Sequence, residues 1–181
     1  MNEKSERKGY VFKITVIGDP AVGKTSLIKK YTQGSFQKDY IKTLGAQFSK
    51  YDEEIDGENC KLFFWDIAGQ DEWSFMRGTF YKGSKAAIIV YSHTDEESFE
   101  HIPNWHEDIK KFCGDIPIVL FGNKLDLIDA ADVNEKKPKK LAKKRNFLAY
   151  INTSAKTGTG VYEGFQKIIR KLHSEHKDKE W

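Results

Sequence analysis

Residues Gly18 to Thr25 read Gly-Asp-Pro-Ala-Val-Gly-Lys-Thr and fit the pattern G-x-x-x-x-G-K-[ST]. A loop of this kind turns successive backbone N–H groups inward and makes a concave anion site. A helix beginning at its end adds the positive end of its dipole. Gly18 and Gly23 remove Cβ atoms where backbone and phosphate must approach. Asp19, Ala21, Val22, Gly23, Lys24, Thr25 and Ser26 are therefore candidate nucleotide contacts. Lys24 is suited to the terminal phosphates, and the Thr25 hydroxyl to Mg²⁺, a hard cation that prefers oxygen. The plainer reading, a glycine-containing strand-to-helix turn that holds nothing, fits the Lys-Thr ending poorly.

Such a loop needs a strand before it and a helix after it, and both are legible. Tyr10–Ile17 is β-branched and aromatic, and Thr25–Tyr31 reads as a helix. Further strand-like runs are Gln47–Ile55, Cys60–Asp66, Ala86–Tyr91, Ile116–Gly122 and Leu148–Asn152, with helical stretches between most of them. The second and third are separated only by Asp56-Gly57-Glu58-Asn59, a hairpin signal. Ala86–Tyr91 and Ile116–Phe121 are continuously apolar, as parallel strands buried on both faces are. Thr94-Asp95-Glu96-Glu97 resembles a capping box. Downstream, Pro103 cannot donate within a helix. Either the first turn ends before it, or Pro103 itself opens a main helix with Trp105, Ile109 and Phe112 inward; the second is expected. Val161, Phe165, Ile168, Ile169 and Leu172 make one stripe of a final helix, with residues 173–181 as its frayed end. The pattern predicts an α/β fold: one domain, a six-stranded, mostly parallel sheet with one antiparallel strand, and helices on both faces.

In such sheets, ligands bind outside the carboxyl ends of the strands. Three more polar motifs fall there: Asp66-Ile67-Ala68-Gly69-Gln70, Asn123-Lys124-Leu125-Asp126 and Thr153-Ser154-Ala155-Lys156. Asp66 is the acidic partner a phosphate loop needs for Mg²⁺, acting through water. Asp126 suits guanine, whose N1 and N2 edge donates two N–H bonds where adenine offers no such pair. The Lys124 stem can cover the base plane, and Asn123 can tie this loop to the phosphate loop. A polar surface loop is the alternative for Asn123–Asp126 taken alone.

Gly18–Thr25, Thr43, Asp66–Gln70, Asn123–Asp126 and Ser154–Lys156, in this order, resemble the five motifs of the Ras superfamily of small GTPases, over roughly residues 10–173. The resemblance implies a G domain flanked by a short extension (1–9) and a tail (174–181). It implies that Thr43 reaches Mg²⁺ and the γ-phosphate, Phe36 packs on guanine, Tyr40 closes over the phosphates, and Gln70 orients the attacking water, with Lys24 and Thr43 assisting. Gly69 would meet the γ-phosphate, and the Ala155 N–H, between Ser154 and Lys156, would read the guanine O6. The implied ligands are GTP and GDP with Mg²⁺. The implied partners are an activating protein, an exchange factor and effectors, and the protein is expected to be a monomer.

Within the superfamily the chain is similar to Rab and Ran proteins. Phe48, Trp65 and Tyr81 fall where Rab proteins carry an effector-facing aromatic trio, although ordinary burial would explain aromatics there too. Residues 36–40, 102–106 and 116–120 are closer to Ran. The chain as written carries neither the C-terminal cysteines of a Rab lipid anchor nor the acidic Ran tail. Pro20 stands where relatives place a small residue, and it removes a backbone N–H. This raises an alternative, a guanine-nucleotide-binding scaffold with negligible hydrolysis. A phosphate-loop kinase is more remote, since it leaves Asn123–Asp126 unexplained.

Composition narrows the remaining classes. The chain has 181 residues, 31% of them charged, and a formal net charge of +3. Cys60 and Cys113 show no metal-ligand spacing and suit reduced core thiols, hence a cytoplasmic expectation. Lys136–Arg145 holds seven basic residues and no acid. No aromatic interleaves that run to stack on bases, so a solvated helix face is expected and nucleic acid is not. None of the five histidines has a catalytic or metal partner legible in the sequence, and His106 reads as a structural group.

Overall fold

The computed structural model describes residues 9–33 and 45–178. Its strands are β1 (Tyr10–Ile17), β2 (Ala46–Ile55), β3 (Glu58–Ile67), β4 (Ala86–Ser92), β5 (Ile118–Asn123) and β6 (Ala149–Asn152). Its α-helices are α1 (Lys24–Thr32), α2 (Ser74–Tyr81), α3 (Glu96–Glu100), α4 (Ile102–Cys113), α5 (Lys136–Lys144) and α6 (Val161–Lys177). The strands form one sheet in the order β2-β3-β1-β4-β5-β6. Every pairing is parallel except β2 with β3. This is the expected α/β architecture.

The two faces of the sheet bury separate cores. Phe12, Ile14 and Val16 of β1 pack with Leu27 and Tyr31 of α1 and with Phe165, Ile168 and Leu172 of α6. On the opposite face Ile17, Ala87, Ile89 and Leu120 pack with Tyr81 of α2, Trp105 and Ile109 of α4, and Ala142 of α5. All seven residues of β4 and all six of β5 are buried, which explains their uninterrupted apolar runs.

Departures from the sequence expectations have local causes. The β2–β3 turn contains only Asp56 and Gly57, because Ile55 already pairs with Glu58. Both turn residues have positive φ (52° and 81°), the geometry of a two-residue hairpin loop, so the strands close up to it. β5 starts at Ile118 rather than Ile116, since Pro117 has no N–H for the ladder. The helix cap is Asp95, whose carboxylate accepts the Ser98 N–H, so the capping signal lies one residue past Thr94. The short α3 ends at Glu100, and Pro103 sits in the first turn of α4. Trp105 and Ile109 face inward as expected. Phe112 does not, because it is 45% exposed and lies over Gly78 of α2. α6 continues to Lys177, so residue 173 is no frayed end: His173 is buried and hydrogen-bonds Glu58 at 2.5 Å.

Candidate functional site

The phosphate loop leaves the carboxyl end of β1 and enters α1 through Gly23, which holds φ 101°. A Cβ there would come within 2.3 Å of the Asn123 side-chain nitrogen, so only glycine fits. Ala21 also takes positive φ, at 63°. No side chain caps α1 and its first turn carries no acid. The N–H groups of Lys24, Thr25 and Ser26 therefore stand at a helix start with no intrahelical partner, as an anion site requires. Lys24 is buried and its Nζ donates to the carbonyls of Gly18 (3.0 Å) and Asp19 (2.9 Å). Burial lowers the ammonium's pKa, while Asp66 and Asp19 pull the other way.

Across the loop, the Thr25 hydroxyl hydrogen-bonds the Asp66 carboxylate at the end of β3. Burial raises the Asp66 pKa, countered by the Thr25 hydrogen bond and by Lys24. Two adjacent oxygen donors beside a phosphate cradle are a donor set that fits Mg²⁺. These groups line a cavity of about 760 Å³, together with Ala21, Gly69 and Gln70. Gly69 packs so tightly that a Cβ would come within 2.5 Å of the Gly18 carbonyl and 2.6 Å of the Pro20 nitrogen. Gln70 is exposed on the cavity wall, just before a 3₁₀ turn at Asp71–Trp73.

The second half of the site is built on β5 and β6. The Asn123 side chain donates to the Val22 carbonyl at 2.8 Å and accepts from the Thr153 hydroxyl at 3.1 Å. Its oxygen also takes the Ala155 N–H at 3.3 Å. Lys124, in the left-handed region at φ 62°, sends Nζ to the Ala21 carbonyl at 2.6 Å. Asp126 is exposed, and one carboxylate oxygen accepts the hydroxyl of buried Ser154 at 2.7 Å. Lys156 is exposed beside them. The structure thus brings Asp19, Ala21, Val22, Gly23, Lys24, Thr25, Ser26, Asp66, Gly69 and Gln70 to one rim, joined to the base loop by Asn123 and Lys124. Phe36, Tyr40 and Thr43 lie outside the described residues.

Two sequence expectations need correcting. Tyr81 faces no partner protein: it is fully buried and its hydroxyl donates to Asp108 at 2.8 Å. The ring beside Trp65 is that of Phe80 (centroids 5.9 Å apart), while Phe48 stacks on Trp65 at 5.3 Å. Phe48 and Trp65 are half-buried, and Lys13 lies 4.3 Å over the Trp65 ring. Among the histidines, His101 does have a partner at the site, for its Nδ1 lies 2.6 Å from Asp19 Oδ2. Asp19 Oδ1 accepts the Trp105 indole N–H at 2.8 Å. An acid placed in an anion-binding loop was the signal that such a counter-group exists. His106 packs on Phe147 and meets Arg145 at 3.0 Å, in keeping with a structural role. The lysines of α5 are exposed while Pro138 and Ala142 are buried, which is the solvated face expected. Among the described residues, no helix is long and apolar enough to cross a membrane.

A Ras family model matches residues 13–174. The Ras-related protein Rab-13 of Canis lupus familiaris is 37% identical over 164 residues, covering 90% of this chain and 80% of that protein. The Ras-related protein Rab-7b of Paramecium octaurelia is 33% identical over 181 residues, covering 97% of this chain and 88% of that one. Rab-4 of Dictyostelium discoideum is 37% identical over 164 residues, covering 90% and 80% respectively. The relatives reported carry the Rab side of the Rab and Ran resemblance.

Proposed function

Because the chain belongs to the Ras family and has Rab proteins among its relatives, it is a GTP-binding switch and a GTP hydrolase, and we propose that the rim of β1, β3, β5 and β6 does this work. The observation that supports this assignment best is the double tie between the two halves of the site. Asn123 and Lys124 bond the Val22 and Ala21 carbonyls, so the base-reading and phosphate-holding loops form one rigid frame.

In this reading the N–H groups of the loop and of the first turn of α1 take the phosphates, and Lys24 neutralises the terminal ones. Thr25 and Thr43 would hold Mg²⁺, with Asp66 acting through water, and the ion would supply neutralisation of charge on the phosphates. Gln70 orients the attacking water, and the chain's contribution to hydrolysis is positioning and electrostatics rather than covalent chemistry. Asp126 accepts from the guanine edge, held for that task by Ser154. Lys124 and Lys156 cover the base, Phe36 packs on it, and Tyr40 shields the phosphates. The Ala155 N–H, now lightly engaged by Asn123, turns to the guanine O6.

Thr43 and Gly69 convert the γ-phosphate into loop order, released on hydrolysis. Activating, exchange and effector proteins read that order at the face of Phe48 and Trp65, with Phe80 behind them. The cellular role is Rab-like, in membrane trafficking. The scaffold alternative resting on Pro20 gains no support from the relatives.

The test is to denature freshly purified protein and identify the released nucleotide chromatographically. GDP is expected, which reports both guanine selection and turnover. Adenine nucleotide would refute the assignment, and retained GTP would refute turnover.

A further inference from the structure

Asp19 is the acid of the phosphate loop, and both its carboxylate oxygens are engaged from the α3–α4 corner. His101 Nδ1 lies 2.6 Å from Oδ2 and the Trp105 indole N–H donates to Oδ1 at 2.8 Å. The same residue's carbonyl accepts from Lys24 Nζ at 2.9 Å, and its backbone packs against Gly69. Arg77 of α2 stacks 4.3 Å over the Trp105 ring and donates to the Gly69 (3.2 Å) and Gln70 (3.0 Å) carbonyls. One cluster therefore grips the phosphate loop at Asp19 and the Gly69–Gln70 segment at Arg77.

His101 is well fixed for this. It is the single residue between α3 and α4; its N–H bonds the Glu97 carbonyl and its own carbonyl caps the Trp105 N–H, each at 3.1 Å. We propose that His101 is a positioning residue for the nucleotide: as an imidazolium it holds Asp19, and through Asp19 the phosphate loop, in phosphate-ready shape, so that nucleotide retention weakens when it loses its proton. The inference rests on the nucleotide-switch reading above.

Two physical effects share one sign. A charge-assisted bond is stronger than a neutral one, so the loop is held more firmly while the imidazole is charged. The imidazolium also adds to Lys24 in offsetting the Asp19 carboxylate, which stands near the bound phosphates. The charged groups around His101 are Asp19 from the loop and Glu97 and Glu100 from α3. Arg77 reaches the cluster through Trp105 and through the Gly69 and Gln70 carbonyls, and Lys24 lies beside Asp19 on the loop side. The Asp19 hydrogen bond is the main cause raising the His101 pKa, with Asp19, Glu97 and Glu100 charge adding to it against desolvation. The held state is thus complete below the ordinary imidazole value of about 6.5 and lost as pH rises through the higher folded value. His101 is 40% exposed, so solvent screening keeps the effect modest.

The experiment is release of fluorescently labelled GDP from the full chain in saturating Mg²⁺, chased with unlabelled GDP, between pH 5.5 and 8.5. The wild-type rate should rise about three- to tenfold across this window. His101→Gln should be flat and match the fast, high-pH rate throughout. His93, beside Asn152, titrates equally in both proteins and cancels. An NMR titration of the wild-type imidazole should give a midpoint that coincides with the rate change, and this holds even where the variant fails to fold. Equal pH slopes in the two proteins, or midpoints that disagree, overturn the proposal while leaving the switch reading intact. Failure of the wild type to retain labelled GDP at any pH overturns that reading, and the proposal with it.

Discussion

Asp126 is exposed, so its aim depends on what holds it, and the buried Ser154 hydroxyl is the holder. That hydroxyl also accepts the Thr157 N–H at 3.1 Å, which fixes the loop after β6. Ser154→Ala should weaken GDP binding about five- to thirtyfold, equivalent to about 1–2 kcal/mol for the loss of one positioning hydrogen bond. Discrimination against ADP should fall with it, because an unheld carboxylate reads the base edge less strictly. Competition against labelled GDP measures both, and an unchanged GDP affinity would remove Ser154 from the positioning role. At this scale, legibility followed from chemistry written in residue types. Lysine and threonine at the end of a glycine loop, or asparagine, lysine and aspartate after an apolar strand, announce a job wherever they fold. Tyr81 could not be read this way. Neighbouring positions on a helix point about 100° apart, so Phe80 turned toward Trp65 and Tyr81 into the core. His101 was hidden for another reason: it meets Asp19 across 82 positions of sequence, a distance no local pattern spans.

Helix packing sets up a contrast between two glycines that look equivalent in sequence. In α6, a Cβ on Gly164 would come within 2.5 Å of the Phe121 ring, which is fully buried. In α2, a Cβ on Gly78 would come within 2.4 Å of the Phe112 ring, which is 45% exposed. Each alanine gains about 1 kcal/mol of helix propensity. At Gly164 the ring has nowhere to go, and overpacking of about 1–3 kcal/mol outweighs that gain. Gly164→Ala should therefore lower the melting temperature by a few degrees, at about 2–4 °C per kcal/mol for a chain of this size. At Gly78 the ring can swing into solvent, so Gly78→Ala should leave stability within about 0.5 kcal/mol of wild type or raise it. Thermal unfolding of the two variants decides the matter, and equal losses would contradict the argument from the neighbour's freedom to move. Elements were legible where local and long-range demands agreed, as in β1, whose bounds the residue types predicted. They were less so where one residue tipped the balance: Pro117 delayed β5, and Asp95 rather than Thr94 supplied the cap. Phe112 read as a core residue by its helical spacing and instead became a lid over Gly78, since the helix face alone does not say what lies opposite.

In the whole molecule, the parallel strands carry their chemistry at one end because each hands its polar loop to the same rim, while the opposite ends carry none of the nucleotide motifs. That is why a linear sequence disclosed a three-dimensional site: once the alternation of strands and helices was read, the topology brought residues 18–26, 66–70, 123–126 and 154–156 together. What it could not disclose was how those loops bond to one another, which is a matter of side-chain reach across the sheet. The bonds from Asn123 and Lys124 to the phosphate loop make ligand binding a property of the folded frame and not of any isolated loop. Binding must then raise global stability by mass action, since an unfolded chain has no frame to offer. At a free GDP concentration about 100 times the dissociation constant, with Mg²⁺ present, the gain should be about 2.7 kcal/mol. For a chain of this length that corresponds to a rise of about 5–10 °C in melting temperature. ADP at the same concentration should give almost none of it, because in its proposed role Asp126 is left without the paired donors of guanine. Chelating Mg²⁺ should remove part of the GDP gain if Thr25 and Asp66 hold the ion in their proposed role. A shift of equal size with ADP would mean that the frame holds phosphates but does not read the base.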